Sequence, residues 1–328
     1  MTIDEPRIKT RAYFLFENRT GRDWQHSISN WLEAEREERF LSFCGELSRR
    51  VEFIRDLYAT YRIPLKPDQG LTRALAEAEA LGAGDKASFP YSRDYLIQLT
   101  NDAHVIYGFG GDLETAVNAG LDVSHHLSNL TTGTTDYGVP SSRNNAIFFK
   151  DFEFELFLVS SFLRKGLNPI FTTPGDPCGE LVCLELRIEA KHPNSVGQLT
   201  KQLGKFQRSL SNSNAFGVFA VALEDAMTLG DVSEFHSREE YDDWLAVKRN
   251  GMEALGQRLI AMAARLPRVV ALVQTQTKVE IVGGTTTLRR LGNAMLFDHR
   301  TIYPNYADAA LAIASVFNPV PLRFSEMR

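Results

Sequence analysis

The stretch Leu181–Lys191, LVCLELRIEAK, alternates around Val182, Leu184, Leu186 and Ile188 and ends in Glu189-Ala190-Lys191. That period predicts one long strand over 181–191, because successive side chains of a strand point to opposite faces. Glu189 and Lys191 then leave the strand end on one face. A carboxylate beside an ammonium can do chemistry on phosphate: the first holds a hard divalent cation, while the second offsets phosphate charge and orients or helps deprotonate a water. Exposed ion pairs produce the same triplet by chance, so its surroundings decide what it means.

Upstream stands Asp176, inside the tight turn Pro174-Gly175-Asp176-Pro177. Further back, Glu155 lies on a helix expected over Lys150–Lys165, amid Phe152, Leu156, Phe157, Leu158, Val159 and Phe162. A carboxylate in such company is costly unless it is paired or bound to metal. Gly166 reads as the helix stop, and Asn168–Thr172 as a strand. Downstream, Gln198–Leu210 predicts a helix with the apolar stripe Leu199, Leu203, Phe206 and Leu210, and with Lys201, Lys205 and Arg208 on the opposite face. Those cations could track a phosphate backbone, with His192 and Arg187 adding to the patch. A solvated helix surface explains them equally well.

A helix bearing Phe154-Glu155, then a glycine, a strand, an Asp, a strand ending in Glu-x-Lys and a further helix resembles the PD-(D/E)xK, or restriction-endonuclease-like, nuclease superfamily. The resemblance covers about residues 145–225, and plausibly the sheet to residue 300. It implies metal coordination by Asp176 and Glu189, a catalytic role for Lys191 and an accessory carboxylate at Glu155. The cofactor it implies is Mg²⁺ or Mn²⁺, and the substrate nucleic acid, DNA ahead of RNA. It also implies an anti-phage or restriction-type setting, as a homo-oligomer or with a partner protein of such a system. One departure concerns the Asp: Asp176 is followed by Pro177-Cys178-Gly179 instead of a short apolar strand, which leaves Glu180, and behind it Glu185, as alternative acidic ligands. An inactive nuclease-fold scaffold and an RNase on the same fold are the rival readings.

The remaining sequence sets the frame. Alternating helices and strands after residue 145 predict an α/β fold with a mixed sheet flanked by helices. The strands are Phe216–Leu223, Val269–Thr275, and Thr277–Val282 paired with Leu288–Phe297 across Gly283-Gly284; Glu239–Arg265 is a long helix. Before them, Trp31–Tyr61, Leu71–Leu81, Asp94–His104 and Leu113–Ala119 read as helices, and Arg11–Glu17 as a lone strand. The polar stretch Ser128–Asn145 suggests a boundary between a mainly helical unit, 1–135, and a nuclease-like unit, 141–328. Val105–Ala119 imitates a phosphate loop but lacks the Lys-Ser/Thr that would make it one. His125-His126 reads as a loop or helix-cap pair, and Glu153, on another helix face near Lys150, as a bystander.

A net charge of −5 speaks against indiscriminate coating of nucleic acid but leaves room for a local basic groove. No apolar run is long enough to span a bilayer, and Cys44, Cys178 and Cys183 form no CxxC pair. These features fit a cytoplasmic protein without a membrane span.

Overall fold

The computed structural model describes residue 12 and residues 24–83, 93–135, 137, 148–193, 195–224, 233–235, 239–240, 243, 257–282, 285–297, 306–318 and 322–323. Helix α1 (Trp24–Thr60) buries Leu47, Val51, Ile54, Leu57 and Tyr58 at three- and four-residue spacing, and it ends before Pro64. Helix α2 (Gly70–Gly82) buries Leu71, Ala74, Leu75 and Ala78 in the same way. The two helices expected over Asp94–His104 and Leu113–Ala119 are one, α3 (Arg93–Asn118), which runs unbroken through Gly108, Gly110 and Gly111. The apparent phosphate loop is therefore helix interior. Its glycines serve close approach instead: a Cβ on Gly111 would lie 2.4 Å from the Arg50 guanidinium, so α1 and α3 meet through the Arg50 side chain. A short helix, α4 (Ser124–Leu130), buries His126, Leu127 and Leu130. The strand expected over Arg11–Glu17 lies, apart from helical Ala12, outside the described residues.

Helix α5 (Phe148–Arg164) follows as expected, and β1 is reduced to Ile170–Phe171. The LVCLELRIEAK stretch is a hairpin and not one strand. Its arms are β2 (Leu181–Cys183) and β3 (Leu186–Lys191), antiparallel, with Cys183 opposite Leu186. Leu184 and Glu185 form the two-residue loop at φ 50° and 66°. Consecutive left-handed residues give the tight turn whose twist matches that of paired strands, a turn that sequences usually announce with Asn-Gly. Leu184, expected to face inward, is therefore exposed.

Helix α6 (Val196–Asn212) starts at Ser195, whose Oγ accepts from the Gln198 amide at 3.3 Å. Then come β4 (Gly217–Ala222), β5 (Ser233–Phe235), β6 (Val269–Val282), β7 (Thr285–Leu296), α7 (Ala307–Phe317) and β8 (Leu322–Arg323). The sheet order is β1-β2-β3-β4-β6-β7-β8, with β5 on β6. It is mixed: β3, β4 and β6 are successive parallel neighbours, whereas β2–β3 and β6–β7 are antiparallel. β6 is one strand where two were expected. Its pairing with β7 closes at Val282 opposite Thr285, across the Gly283-Gly284 loop, which lies outside the described residues. Of the expected helix Glu239–Arg265, residues 239–240, 243 and 257–263 are described and helical.

Two apolar layers follow from the strand period. Leu186, Ile188 and Ala190 of β3 join Val218, Ala220 and Val270 on one sheet face, covered by Phe109, Phe149, Phe154, Leu158 and Ile313. On the other face Phe219, Val221 and Leu272 pack against Leu199, Leu203, Phe206 and Leu210 of α6. β4, buried at every position, is central to both. The first layer runs without a break from Leu47 of α1 to Ile313 of α7, across the stretch where the 1–135 and 141–328 units were expected to separate. α3 packs on both α5 and β7.

A fragment of residues 131–328 would lose the partners of that layer, at roughly 25 cal/mol for each Å² of apolar surface returned to water. It is expected to be insoluble, or to lack a cooperative thermal transition by circular dichroism. A soluble, cooperatively melting fragment would show that the helices before residue 131 are not needed for the core.

Candidate active site

The site begins with a backbone constraint. Gly179 sits at φ 107°, where an added Cβ would lie 2.5 Å from the Ile188 carbonyl oxygen. Only glycine lets the chain lie so close to β3 in that conformation. This approach delivers the next residue, Glu180, onto the end of β3. Its Oε2 accepts a hydrogen bond from the Ala190 amide at 2.7 Å, and its Oε1 accepts from Lys191 Nζ. Lys191 Nζ also lies 3.0 Å from Glu189 Oε1. Arg187, Glu189 and Lys191 share the face of β3 opposite Leu186, Ile188 and Ala190, as the alternation requires. One ammonium thus bridges two carboxylates supplied by different segments.

Asp176 stands in the same cleft but is engaged elsewhere. Its Oδ1 accepts from the Cys178 amide at 2.8 Å, and its Oδ2 pairs with Arg187 Nη1 at 3.1 Å. Between the alternatives left open by the sequence, Glu180 is the acid beside Glu189 and Lys191, whereas Asp176 holds the turn together and stands at the rim. Glu185 occupies the exposed β2–β3 turn. The cleft has a volume of about 450 Å³, and Lys205 and Arg208 of α6 border it. Lys201 is exposed but does not line it. His192 does not belong to a nucleic-acid contact surface: it is 4% exposed, with its Nε2 3.9 Å from Glu224 Oε1.

Glu155 approaches from α5, buried as its neighbours predict. Its Oε2 lies 2.9 Å from His126 Nε2. Sequence reading gave His126 no role, because nothing local announces a pairing across 29 residues. Burial, then repulsion from Glu180, pushes the Glu155 carboxyl up to about 8, against the pull of Lys191. The same two causes raise Glu189 to about 7. Burial alone would lower the Lys191 pKa, but Glu180 and Glu189 outweigh it and hold the ammonium protonated. Three acidic side chains, Glu155, Glu180 and Glu189, thus act on one lysine, and the oxygens of Glu180 and Glu189 are ligands suited to a hard divalent cation. Among the described residues, no group of three or more His, Cys, Asp or Glu side chains is already gathered as a metal cage.

Comparison with protein-family models, with curated proteins and with solved structures returned no match. What the cleft can do must be argued from its own residues.

A second polar cluster lies behind the first. Glu153, read from the sequence as a bystander, is 5% exposed and accepts from Arg290 Nη2 at 2.8 and 2.7 Å. The Tyr137 hydroxyl donates to Glu153 Oε2 at 2.6 Å, and Arg290 Nε donates to Thr277 Oγ1 at 2.7 Å. Arg290 also lies over the Phe157 ring at 4.3 Å. The correction has a simple cause: positions two apart on a helix face different neighbours, and the face of Glu153 meets β7. Beside this cluster Glu224 accepts from the Thr277 amide at 3.3 Å, and burial lifts its carboxyl to about 7.

Glu153→Ala should cost about 3–5 kcal/mol in urea unfolding, because it leaves Arg290 buried without its counter-charge. A loss under 1 kcal/mol would mean that Arg290 finds water or another partner. For Glu224, the folded pKa of about 7 lies above the reference value of 4.5, so the folded state holds the proton more tightly. Its contribution to stability is full below the unfolded pKa and is lost as the pH rises through 7, to a limit of about 3 kcal/mol. Wild type should therefore lose more stability than Glu224→Gln between pH 5 and pH 8, as measured by thermal melts. Parallel pH profiles would rule this out.

Proposed function

We propose that this protein is a hydrolase of restriction-endonuclease-like architecture that cleaves phosphodiester bonds in DNA with Mg²⁺ or Mn²⁺. The observation that carries the reading is the convergence of Glu180 and Glu189 on Lys191 Nζ, in a cleft flanked by Lys205 and Arg208. Glu180 and Glu189 would hold the cation, and the buried Glu155 interacts with both electrostatically. When bound, the cation supplies Lewis acidity toward a phosphoryl oxygen and acidifies its water.

The protein's own groups divide the remaining work. Lys191, kept protonated by its carboxylate neighbours, is suited to orienting the attacking water and offsetting phosphate charge, and not to removing a proton. Glu189 stands beside Lys191 as an oxygen ligand, with its Oε1 3.0 Å from the ammonium. Lys205 and Arg208 offer exposed cations to the phosphates on either side of the scissile one. DNA ahead of RNA rests on the resemblance to the nuclease superfamily, as does a place in an anti-phage or restriction system with a partner protein or as a homo-oligomer. One observation favours a second reading, an inactive scaffold on the same fold: Lys191 is ion-paired with both Glu180 and Glu189, as in a purely structural cluster.

Supercoiled plasmid and a structured RNA, each incubated with Mg²⁺, Mn²⁺ or EDTA, separate these readings. Cleavage of plasmid is expected with either metal and not in EDTA. Glu180→Gln, Glu189→Gln and Lys191→Met should each lower the rate by about 10²–10³, the scale of removing one transition-state charge partner, and Asp176→Asn far less. Lys205→Ala with Arg208→Ala should weaken DNA binding uniformly and flatten its salt dependence. Cleavage in EDTA, or full activity of Lys191→Met, would end the metal-hydrolysis reading. No cleavage of either substrate, with the cleft folded, would favour the scaffold.

A further inference from the structure

We propose that His126 is a positioning residue for the cleft, its imidazole fixing the Glu155 carboxylate so that the helical region before the sheet completes the site. The inference rests on the metal-dependent reading above and deepens it. Glu155 lies buried on α5, among Phe154, Leu156 and Leu158, near enough to Glu180, Glu189 and Lys191 to act on them electrostatically, and no solvent would hold its oxygens in place. His126 Nε2, 2.9 Å from Glu155 Oε2, provides that hold. The ring is itself fixed: it is 3% exposed, with the Phe171 ring centroid at 4.0 Å and that of Phe152 at 5.4 Å.

The tautomer follows from what the other nitrogen lacks. His126 Nδ1 is buried and has no hydrogen-bond partner among the described residues. An orphaned N–H is the rarer and costlier defect, so the proton belongs on Nε2, donated to Glu155, with a bare lone pair left at Nδ1. Burial also lowers the His126 pKa to about 4 and keeps the ring uncharged at neutral pH. That matters for the cleft. A lysine or arginine in this place would bring a charge of its own, whereas a neutral N–H orients the Glu155 oxygen without adding charge beside the cleft. Glu155 interacts electrostatically with Glu180, Glu189 and Lys191, so its placement bears on the proton balance of those groups.

The test titrates Mn²⁺ into the full chain by calorimetry and assays plasmid cleavage on the same preparations. His126→Phe keeps an aromatic ring against Phe152 and Phe171 but removes the N–H. His126→Gln restores an amide N–H at a similar reach, and His126→Asn offers one that falls short. We expect His126→Phe and His126→Asn to weaken Mn²⁺ binding and lower kcat about 10- to 100-fold, with KM for DNA little changed. His126→Gln should recover most of both, and Glu155→Gln combined with His126→Phe should be no worse than Glu155→Gln alone. Wild-type behaviour of folded His126→Phe or His126→Asn overturns the proposal, as does a His126→Gln defect equal to theirs. If wild type binds Mn²⁺ and cuts while the His126 variants match it, the positioning role falls alone. If wild type neither binds Mn²⁺ nor cuts, the metal-dependent reading falls and takes this role with it.

Discussion

Lys191 holds the charge balance on which the sheet end depends. Glu180 and Glu189 stand close enough to share its ammonium, and Glu155 is buried nearby with its pKa raised by burial and by Glu180. Without that one cation, partly buried carboxylates would repel each other in a medium that screens them poorly, and protonation or displacement would follow. The local fold serves this arrangement. The Leu184-Glu185 turn brings β2 back along β3, Gly179 lets the preceding chain lie against the Ile188 carbonyl, and together they set Glu180 opposite the Ala190 amide.

Helix α5 connects this cleft to the rest of the molecule. Its apolar positions insert into the larger core, and its acids point two ways. Glu153 turns to Tyr137 and Arg290 of β7, whereas Glu155 turns to His126. Each carboxylate is buried in a different electrostatic setting. Glu153 has a guanidinium that cannot be deprotonated, and its ion pair is a structural clamp between helix and sheet. Glu155 has a neutral imidazole, which orients it without adding a charge. Two acids two positions apart thus sit in different settings because a helix sends them to different neighbours.

Much of the frame was legible because it rests on periodicity. α1, α5, α6 and β4 follow directly from the spacing of their apolar residues, and the shared face of Glu189 and Lys191 follows from the strand period. The failures have a common physical origin in long-range contacts. Leu184-Glu185 carries none of the usual turn residues, and only pairing with β3 forces it to turn. Gly108, Gly110 and Gly111 look like a loop until Arg50 of α1 is seen to need the space above two of them. Asp176 and Glu180 are both acids in one turn-rich segment, and spacing does not rank them. The hydrogen bonds made by the Arg187 and Lys191 side chains do.

The domain organisation shows the same limit more sharply. The polar stretch after Ser128 has the composition of a linker, yet the larger apolar layer passes across it, and α4 just before it contributes His126 to a contact with α5. A linker composition reports only that the backbone there does not need to be buried. It says nothing of whether the elements on either side share a face. Here they do. If a residue from the helical region orients an acid of the cleft, loosening that region would weaken the site before it unfolded the sheet. Any partner that binds α1 to α4 would then have a physical route to the cleft, through the packing of α4 on α5 and the single hydrogen bond between His126 and Glu155.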